Sequence, residues 1–327
     1  SSLMETILVT GGAGFIGGTF ARIALKRGYA VRIVDNLSTG SQEVVDNLQD
    51  LGAEVIIGDI RNLNLMNTVL HGVDFIVHLA AQISVPLSME YPEDTADINI
   101  QGTQVVIDCA LKNGVRRLVM ASSAAVYGEN TNLPLSEEDG GMLLSPYAES
   151  KWENENQILN SRKEGLESVA LRFFNVYGVG QRPNSAYAAV IPKFVDLIVD
   201  QQPPIINGDG LQTRDFIHAN DVVQAIFKFL EPTWVGHKYH VFNVATQTRL
   251  SLLDLIDSIN NSLAQITPQH TTITPTFGPE RPGDIRHSMA SNSRLMTETT
   301  WEQSVDFSVG IFNLVKEAYL SKNKKKQ

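Results

Sequence analysis

The stretch TILVTGGAGFIG, residues 6–17, decides the fold of this chain. Its first four residues predict a buried strand, and glycines at positions 11, 14 and 17 follow directly. A dinucleotide requires a tight turn at the first glycine, backbone approach at the second and close helix packing at the third. Because a helix N-terminus carries partial positive charge, we expect a pyrophosphate at the start of the helix that opens near Phe15.

Short apolar runs alternate with longer helical patterns through the first half of the chain, which predicts βαβ units. Further strand-like runs lie at residues 30–34, 54–57, 75–78, 118–120, 168–173 and 239–244. Because parallel strands that are buried on both faces give nearly continuous apolar runs, we predict an α/β fold with a Rossmann-type, doubly wound parallel sheet.

After about Phe174 the alternation weakens and loops rich in proline and glycine appear, which indicates a smaller C-terminal α/β lobe that binds substrate. Helices are expected to start at Ser251 and Ser308. The predicted organisation is a dinucleotide-binding domain at 4–174 with its sheet completed by segments near 211–246, a substrate lobe at 175–210 and 247–320, and a flexible tail at 321–327.

The composition excludes several classes of protein. A formal charge of −10 argues against nucleic acid and anionic membrane surfaces as partners, and no apolar run approaches the roughly 20 residues of a membrane helix. The single cysteine, Cys109, lies in a helix-like apolar stretch and is expected to be an inert thiol. The lack of a disulfide framework and of a signal peptide indicates a cytoplasmic protein.

No metal site is expected, because the seven histidines form neither an H-E-x-x-H motif nor a cluster with cysteine. His78, His218 and His287 are therefore interpreted as structural or hydrogen-bonding groups. Any electron chemistry then falls to a nicotinamide cofactor.

Asp35 ends the second predicted strand, about twenty residues after the glycines, where a carboxylate accepts hydrogen bonds from both adenosine ribose hydroxyls. A 2′-phosphate would face this charge, so NAD is favoured over NADP. Asp59 follows the third strand and either meets the adenine edge or serves as a loop or N-cap carboxylate. Small residues at 79–82, after the fourth strand, allow a cofactor to lie close to the backbone.

Tyr147 and Lys151 are four residues apart, so on a helix they share one face. A phenol that acts as a base near pH 7 needs a pKa about three units below its usual value, roughly 4 kcal/mol, which an ammonium and a positive nicotinamide would supply. Ser123, after an apolar run, would hydrogen-bond the reacting oxygen and relay its proton. Such a pair alone is typical of a surface, but joined to the glycine turn and Ser123 it predicts redox chemistry on an alcohol.

These motifs are colinear, and from Thr6 to about Leu320 the chain resembles the extended short-chain dehydrogenase/reductases, and within them the nucleotide-sugar 4-epimerases. The resemblance rests on residues 10–17, DNLSTG at 35–40, HLAAQ at 78–82, SSAAVYG at 122–128, YAESK at 147–151 and LRFFNVYG at 171–178. It implies a UDP-sugar substrate and a homodimer that pairs helices near 97–114 and 146–161. The apolar faces of those helices could equally be buried within one chain.

The resemblance and the motifs together predict a cofactor site and a substrate site. The cofactor residues are Gly11, Gly14, Phe15, Ile16, Gly17, Asp35, Asn36, Ser38, Gly40, Asp59, Ile60, Leu79, Ala80, Ala81, Gln82, Asn99, Ser122, Tyr147, Lys151 and Phe174. The substrate residues are Ser84, Ser123, Tyr147, Asn175, Ala189, Val190, Phe194, Asn207, Arg214, Arg281, Asp284 and Ser288.

Within the substrate set, each group has an implied role. Asn175, Arg214, Arg281 and Asp284 match family positions that hold the diphosphate and the uridine ribose, which suits forked guanidinium donors and a carboxylate acceptor. The positions that line the uracil pocket are Ala189, Val190, Phe194 and Asn207.

Two departures from related enzymes bear on the substrate. Family 4,6-dehydratases carry acidic residues where this chain has Ala124 and Ala125, which argues against dehydration. The family's size gatekeeper beside the sugar is the small Ser288, so an N-acetyl group should fit. Members that strongly prefer acetamido sugars carry serine at the position of Ala124, so strict preference is not expected.

The sequence thus predicts an NAD-dependent 4-epimerase of UDP-hexoses, acting on UDP-GlcNAc/UDP-GalNAc and UDP-Glc/UDP-Gal through a transient 4-keto sugar. One alternative is a UDP-glucuronate 4-epimerase or decarboxylase, which would need a site for the C6 carboxylate. Another is an NAD-binding sensor without catalysis, although such sensors typically lose the tyrosine or the lysine.

Overall fold

A computed structural model describes residues 4–183, 189–232, 234 and 238–326 of the chain. Its strands are β1 (Thr6–Thr10), β2 (Ala30–Asp35), β3 (Glu54–Ile57), β4 (Phe75–His78), β5 (Arg117–Ser123), β6 (Glu167–Phe173), β7 (Asn175–Tyr177), β8 (Ile205–Asn207), β9 (Thr213–Arg214), β10 (Phe216–His218), β11 (Val241–Val244), β12 (Leu250–Ser251) and β13 (Thr276–Gly278). Its α-helices are α1 (Phe15–Lys26), α2 (Gln42–Asp50), α3 (Leu63–Val69), α4 (Val85–Glu90), α5 (Pro92–Ala96), α6 (Gly102–Lys112), α7 (Pro146–Lys163), α8 (Val190–Val199), α9 (Ala219–Lys228), α10 (Leu252–Ile266), α11 (Ser293–Glu298) and α12 (Phe307–Lys325). A π-helical turn, Asp97–Gln101, joins α5 to α6, and 3₁₀ turns lie at Ala124–Tyr127 and Glu137–Asp139.

The main sheet has seven strands in the order β11-β6-β5-β4-β1-β2-β3, and each neighbouring pair is parallel. This order confirms the predicted Rossmann-type, doubly wound sheet. The strand order reverses between β1 and β4, and ligands of such sheets bind at the carboxyl ends of the strands at that point. The glycine-rich turn after β1 and the small residues after β4 lie there.

Helices cover both faces of the sheet, because successive strand side chains point in opposite directions. Ile7 and Val9 pack with Phe20 of α1 in one buried cluster. Leu8, between them, packs in the opposite cluster with Val106 of α6. The α6 side chains that face the sheet are thus buried within this chain.

Cys109 of α6 lies in that second cluster and is buried. Burial raises the pKa of its thiol, so the reactive thiolate is disfavoured. This agrees with the interpretation of an inert, hydrophobic side chain.

Helices α8, α10 and α12 build a separate hydrophobic core, called the α8–α10–α12 core below, around Tyr177, Phe194 and Ile206. Of the strands near 211–246, β11 joins the main sheet, whereas β10 pairs with β7 and β9 with β12 in separate two-stranded sheets. Of the segments near 211–246 that were expected to complete the main sheet, the one at β11 does so.

Residues 321–325, which belong to the predicted flexible tail, form the last part of α12, since this helix continues to Lys325. Lys322 explains part of this extension, since its Nζ lies 2.7 Å from Asp196 and 2.5 Å from Asp200 of the α8 region. At its other end α12 starts at Phe307, one residue before the predicted Ser308, with Asp306 as N-cap. Among the residues that the structure describes, no helix is long and apolar enough to cross a membrane.

Candidate active site

The turn after β1 has the geometry that its glycines predict. Gly11 has φ +71°, and a Cβ atom there would lie 2.9 Å from the backbone nitrogen of Ala80. A Cβ atom at Gly17 would lie 2.3 Å from the carbonyl oxygen of Gly11, so the third glycine is required for the packing of α1. Gly14 caps α1, and within the described chain a Cβ there would meet nothing nearer than the Gly11 carbonyl oxygen at 3.3 Å. The backbone at Gly14 is therefore open to a ligand.

Asp35 lies buried beside this turn at the end of β2. Its Oδ2 accepts a hydrogen bond from the Ala13 amide at 2.9 Å and its Oδ1 accepts one from the Leu37 amide at 2.8 Å. A Cβ atom at Gly40 would lie 3.0 Å from both carboxylate oxygens, so this glycine keeps the adjoining space open. A carboxylate has about four acceptor sites, and two remain for ribose hydroxyls.

The loop beyond Asp35 exposes two further predicted cofactor residues. Asn36 and Ser38 are joined by a hydrogen bond from the Ser38 amide to Asn36 Oδ1 at 3.0 Å.

The site fits a dinucleotide, through the turns at Gly11 and Gly17, the open backbone at Gly14 and the acceptors of Asp35. Because Asp35 is an acceptor at the ribose position, the site fits NAD better than its 2′-phosphorylated form.

Asp59, after β3, is held by an arginine that the sequence analysis did not include. Arg61 donates to Asp59 through Nε at 3.0 Å and Nη2 at 2.7 Å, and its Nη1 lies 2.7 Å from Asp97. These hydrogen bonds from Arg61 hold the pKa of the Asp59 carboxyl below its usual range. The neighbouring Ile60 is buried against Gly102. Asp59 is therefore an ion-paired carboxylate at the strand end.

The residues after β4 lie against β1 and the π-helical turn. The amides of Leu79 and Ala80 donate to Thr10 Oγ1 at 3.0 and 3.1 Å. Asn99 exchanges two hydrogen bonds with the Gln82 backbone at 2.8 and 3.0 Å. It also donates to Ser150 Oγ of α7 at 3.0 Å.

Asn99, predicted as a cofactor contact, thus joins the segment after β4 to α7. It braces the loop that contains Ala81 and Ser84 against the helix that carries Tyr147 and Lys151. A π-helical turn at this place is typical of a functional site.

Helix α7 presents the predicted base at its first turn. Ser145 caps the helix by accepting from the Ala148 amide at 3.0 Å, and Pro146 occupies the first turn. Tyr147 and Lys151 are both buried on one face, with Lys151 Nζ 5.9 Å from the centre of the Tyr147 ring. Lys151 Nζ also donates to the Ala121 carbonyl of β5 at 3.0 Å.

Ser123, the last residue of β5, completes this group. Its Oγ accepts from the Ala125 amide at 3.1 Å, and its hydroxyl is near enough to Tyr147 to act on the pKa of the phenol. The structure thus brings Ser123, Tyr147 and Lys151 together. They lie at the same sheet edge as the glycine turn, because β5 and β1 end on that edge.

Burial is the largest influence on the pKa values of Tyr147 and Lys151. Burial raises the pKa of Tyr147, against a smaller lowering by the nearby Ser123 hydroxyl. It lowers the pKa of Lys151 to about 8, against an opposing attraction from Glu155. The protein groups alone therefore leave the phenol pKa of Tyr147 raised, contrary to the expectation that Lys151 helps to lower it; a bound positive charge would act in the lowering direction.

His78 has a structural role, as predicted. Its ring nitrogens lie 2.6 Å from Thr10 Oγ1 and 2.9 Å from Thr103 Oγ1, and burial lowers its pKa to about 3. His218 caps α9 by accepting from the Asn220 amide. In the described part of the chain no three His, Cys, Asp or Glu side chains are grouped so as to hold a metal ion.

Three predicted substrate residues meet beside β9. Arg214 Nη2 lies 3.2 Å from Asp284 Oδ1, and burial lowers the pKa of Arg214. The Ser288 amide donates to the Thr213 carbonyl at 3.1 Å, which places Ser288 next to Arg214. Arg281 is exposed on the same segment as Asp284.

The other predicted substrate residues are spread over the lobe. Ala189 caps α8, Val190 starts it, and Phe194 on that helix is buried in the α8–α10–α12 core. Asn207 ends β8. Asn175 is exposed at the start of β7.

Two predicted residues have contacts that the sequence did not reveal. Phe174 is buried, with its ring centre 5.8 Å from that of Tyr127. Ser122 donates to the buried carboxylate of Glu155 at 2.6 Å. Glu155 is four residues after Lys151, which is the one sequence signal that could have brought it into the site.

Comparison with known proteins agrees with this geometry. The sequence model of the NAD dependent epimerase/dehydratase family matches residues 7–245. The chain is 31% identical to the UDP-glucose 4-epimerase of Lacticaseibacillus casei over 92% of each chain. It is 31% identical to the UDP-N-acetyl-alpha-D-glucosaminuronate decarboxylase of Bacillus cytotoxicus, over 79% of this chain and 80% of that protein.

A solved structure is similar over nearly the whole chain. The UDP-N-acetylglucosamine 4-epimerase from Methanobrevibacter ruminantium M1, in complex with UDP-N-acetylmuramic acid, superposes with a TM-score of 0.89. It has 33% sequence identity and covers 98% of this chain and 100% of its own. By sequence model, fold and cofactor-site geometry, this chain belongs to the NAD-dependent epimerase/dehydratase family of extended short-chain dehydrogenase/reductases, and its cofactor is NAD.

Proposed function

We propose that this protein is a UDP-sugar 4-epimerase that interconverts UDP-GlcNAc with UDP-GalNAc and UDP-glucose with UDP-galactose. One observation carries the proposal. Ser123, Tyr147 and Lys151 lie together at the sheet edge that holds the glycine turn and Asp35. The similarity to the 4-epimerases of Lacticaseibacillus casei and Methanobrevibacter ruminantium supports it.

The proposed chemistry starts with the removal of one proton. Tyr147 takes the proton of the sugar 4-hydroxyl, while Ser123 hydrogen-bonds the same oxygen and Lys151 stabilises the phenolate. NAD+ bound at the glycine turn supplies a hydride acceptor and donor for C4. When hydride returns to the opposite face of C4, Tyr147 gives its proton back to the C4 oxygen, and the configuration is inverted without net redox change.

The substrate lobe holds the nucleotide while the hexose turns. Arg214 and Arg281 would bind the diphosphate, and Asp284 would accept the ribose hydroxyls. Arg214 and Asp284 are paired with each other at 3.2 Å, so a bound UDP must share or replace this contact. Because the substrate would be held mainly through its UDP group, the sugar ring is free to present either face to the nicotinamide.

Three residues set the proposed range of sugars. Ser288 is small and lies beside β9, so it leaves room for an N-acetyl group. Ala124 and Ala125 follow Ser123 without a titratable group, so they cannot move a C5 proton. We therefore propose that acetylated and non-acetylated UDP-hexoses are both epimerised.

UDP-uronic acids form a second candidate substrate class. The identity to the decarboxylase of Bacillus cytotoxicus favours it. Such a substrate requires a cationic or polar site for the C6 carboxylate, and turnover of UDP-glucuronate in place of UDP-hexoses would establish this alternative.

The test is proton NMR of the anomeric signals after incubation with UDP-GlcNAc, UDP-glucose or UDP-glucuronate, without added cofactor. We expect the C4 epimers of the first two, and none from Tyr147→Phe. Tyr29→Phe is the matched control, because Tyr29 packs on Phe227 away from the site. Retained turnover in Tyr147→Phe would contradict the assignment of the base, and no epimer from any sugar would contradict the proposed function.

A further inference from the structure

Glu155 is a buried carboxylate on the catalytic face of α7 that the chemistry above does not use. It follows Tyr147 by eight residues and Lys151 by four, so the three side chains lie along one side of the helix. An unpaired carboxylate in this position would be strongly disfavoured. The structure shows how it is compensated.

Arg172 of β6 and Ser122 of β5 hold the carboxylate from two sides. Arg172 donates through Nε to Oε2 at 2.8 Å and through Nη2 to Oε1 at 2.7 Å, a forked ion pair. Ser122 Oγ donates to Oε2 at 2.6 Å. Because Ser122 precedes Ser123, the same carboxylate also fixes the end of β5 that carries a catalytic residue.

Arg172 is itself anchored on the far side. Its Nη1 donates to Tyr127 Oη at 2.9 Å and to the Glu137 carbonyl at 2.8 Å. Tyr127 in turn donates to Asn243 of β11. Because these partners of Arg172 are buried, the guanidinium of Arg172 is fixed in place, and it holds the carboxylate of Glu155.

Among the residues that the structure describes, three titratable groups interact with Lys151. Tyr147 faces it from α7, and His78 faces it from β4, where burial keeps the imidazole neutral by lowering its pKa to about 3. Glu155 attracts the ammonium and so opposes the burial that lowers the pKa of Lys151 to about 8. Among the described residues, Glu155 is the carboxylate whose charge acts on Lys151.

We propose that Glu155 is a positioning residue of the epimerase reaction: held by Arg172 and Ser122, it keeps Lys151 protonated and fixes the strand end that carries Ser123. This inference rests on the proposed function in one respect, that Lys151 acts as an ammonium ion. It assigns no contact between Glu155 and the substrate.

The test is Glu155→Gln, which keeps the shape of the side chain and removes its charge. Without that charge the pKa of Lys151 falls further. The pH at which kcat declines on the alkaline side therefore falls by about one unit, and at pH values above this new limit kcat is up to about tenfold lower than in the wild type. KM for the UDP-sugar stays nearly unchanged. The ¹³Cε resonance of Lys151, identified by its loss in Lys151→Met, titrates at correspondingly lower pH.

Two further variants separate charge from structure. Tyr127→Phe removes a hydrogen bond of Arg172 at the far end of the network, so it lowers stability and leaves the alkaline limb of the kcat profile in place. Glu155→Gln combined with Arg172→Met removes the ion pair as a unit, which is often well tolerated, and keeps the test available if the single variant does not fold. Loss of the shift in this double variant would assign it to the unpaired arginine and overturn the proposal.

The NMR titration is made without substrate, so it is independent of the proposed function. Unchanged titration of Lys151 in folded Glu155→Gln would overturn the proposal even in an active epimerase. A wild-type protein that epimerises nothing, with a shifted Lys151 titration in the variant, would refute the proposed function and leave the coupling of Glu155 to Lys151 supported.

Discussion

Replacement of Lys151 by methionine is predicted to stabilise the protein while it abolishes turnover. Burial lowers the pKa of Lys151 from 10.5 to about 8, which corresponds to about 3 kcal/mol of destabilisation by the charged form. Methionine keeps the length of the side chain and carries no charge. It loses the hydrogen bond from Nζ to the Ala121 carbonyl, worth about 1 kcal/mol net. The expected gain in the free energy of unfolding at pH 7 is therefore about 2 kcal/mol.

The pH dependence of this gain has a definite sign. Because the pKa in the folded state is lower than in the unfolded state, the unfolded chain binds more protons between pH 8 and pH 10.5. The cost of the buried charge is fully present below about pH 8 and disappears as the pH rises to 10.5. The advantage of Lys151→Met must therefore shrink over this range.

The assay is urea unfolding followed by circular dichroism from pH 7 to pH 10, on protein freed of NAD, because a bound cofactor would stabilise the wild type selectively. Lys163→Met, an exposed position on the same helix, is the control and should change stability by less than about 0.5 kcal/mol at every pH. A Lys151→Met protein that is less stable than wild type at pH 7, or an advantage that stays constant to pH 10, would refute the reasoning.

Three further outcomes are predicted. Gly17→Ala should lower the free energy of unfolding by about 1–3 kcal/mol and weaken NAD binding in calorimetry, because its Cβ would lie 2.3 Å from the Gly11 carbonyl oxygen; unchanged values would show that the turn adapts. Ser288→Tyr should lower kcat/KM for UDP-GlcNAc at least about tenfold more than for UDP-glucose, and an equal loss on both would disprove the gatekeeper role. Light scattering should give the mass of a dimer, as the resemblance implies; a monomer mass would contradict it.

Much of the fold could be predicted from the sequence, because buried parallel strands leave continuous apolar runs that a reader can count. The strands β7, β9, β10 and β12 have two or three residues each, too few to show any periodicity, so their separate pairings were missed. The continuation of α12 to Lys325 was not predicted, because the ion pairs that join Lys322 to α8 connect residues far apart in sequence.

The candidate site divides in the same way. Gly11 and Asp35 lie at a fixed spacing within one βαβ unit, and Tyr147 and Lys151 lie within one helix, so local rules locate them. The direction of the Tyr147 pKa depends on burial, which spacing does not give. The Glu155 network depends on three strands and a helix that meet only in the folded chain.

The central claim is that C4 is oxidised and reduced within one site, with the hydride returned to the carbon from which it came. The most direct test uses UDP-glucose with deuterium at C4, in ordinary water and without added NAD, with the product analysed by NMR. We predict UDP-galactose that retains deuterium at C4. Replacement of the deuterium by solvent hydrogen would contradict the claim, because it would show inversion by proton exchange at carbon.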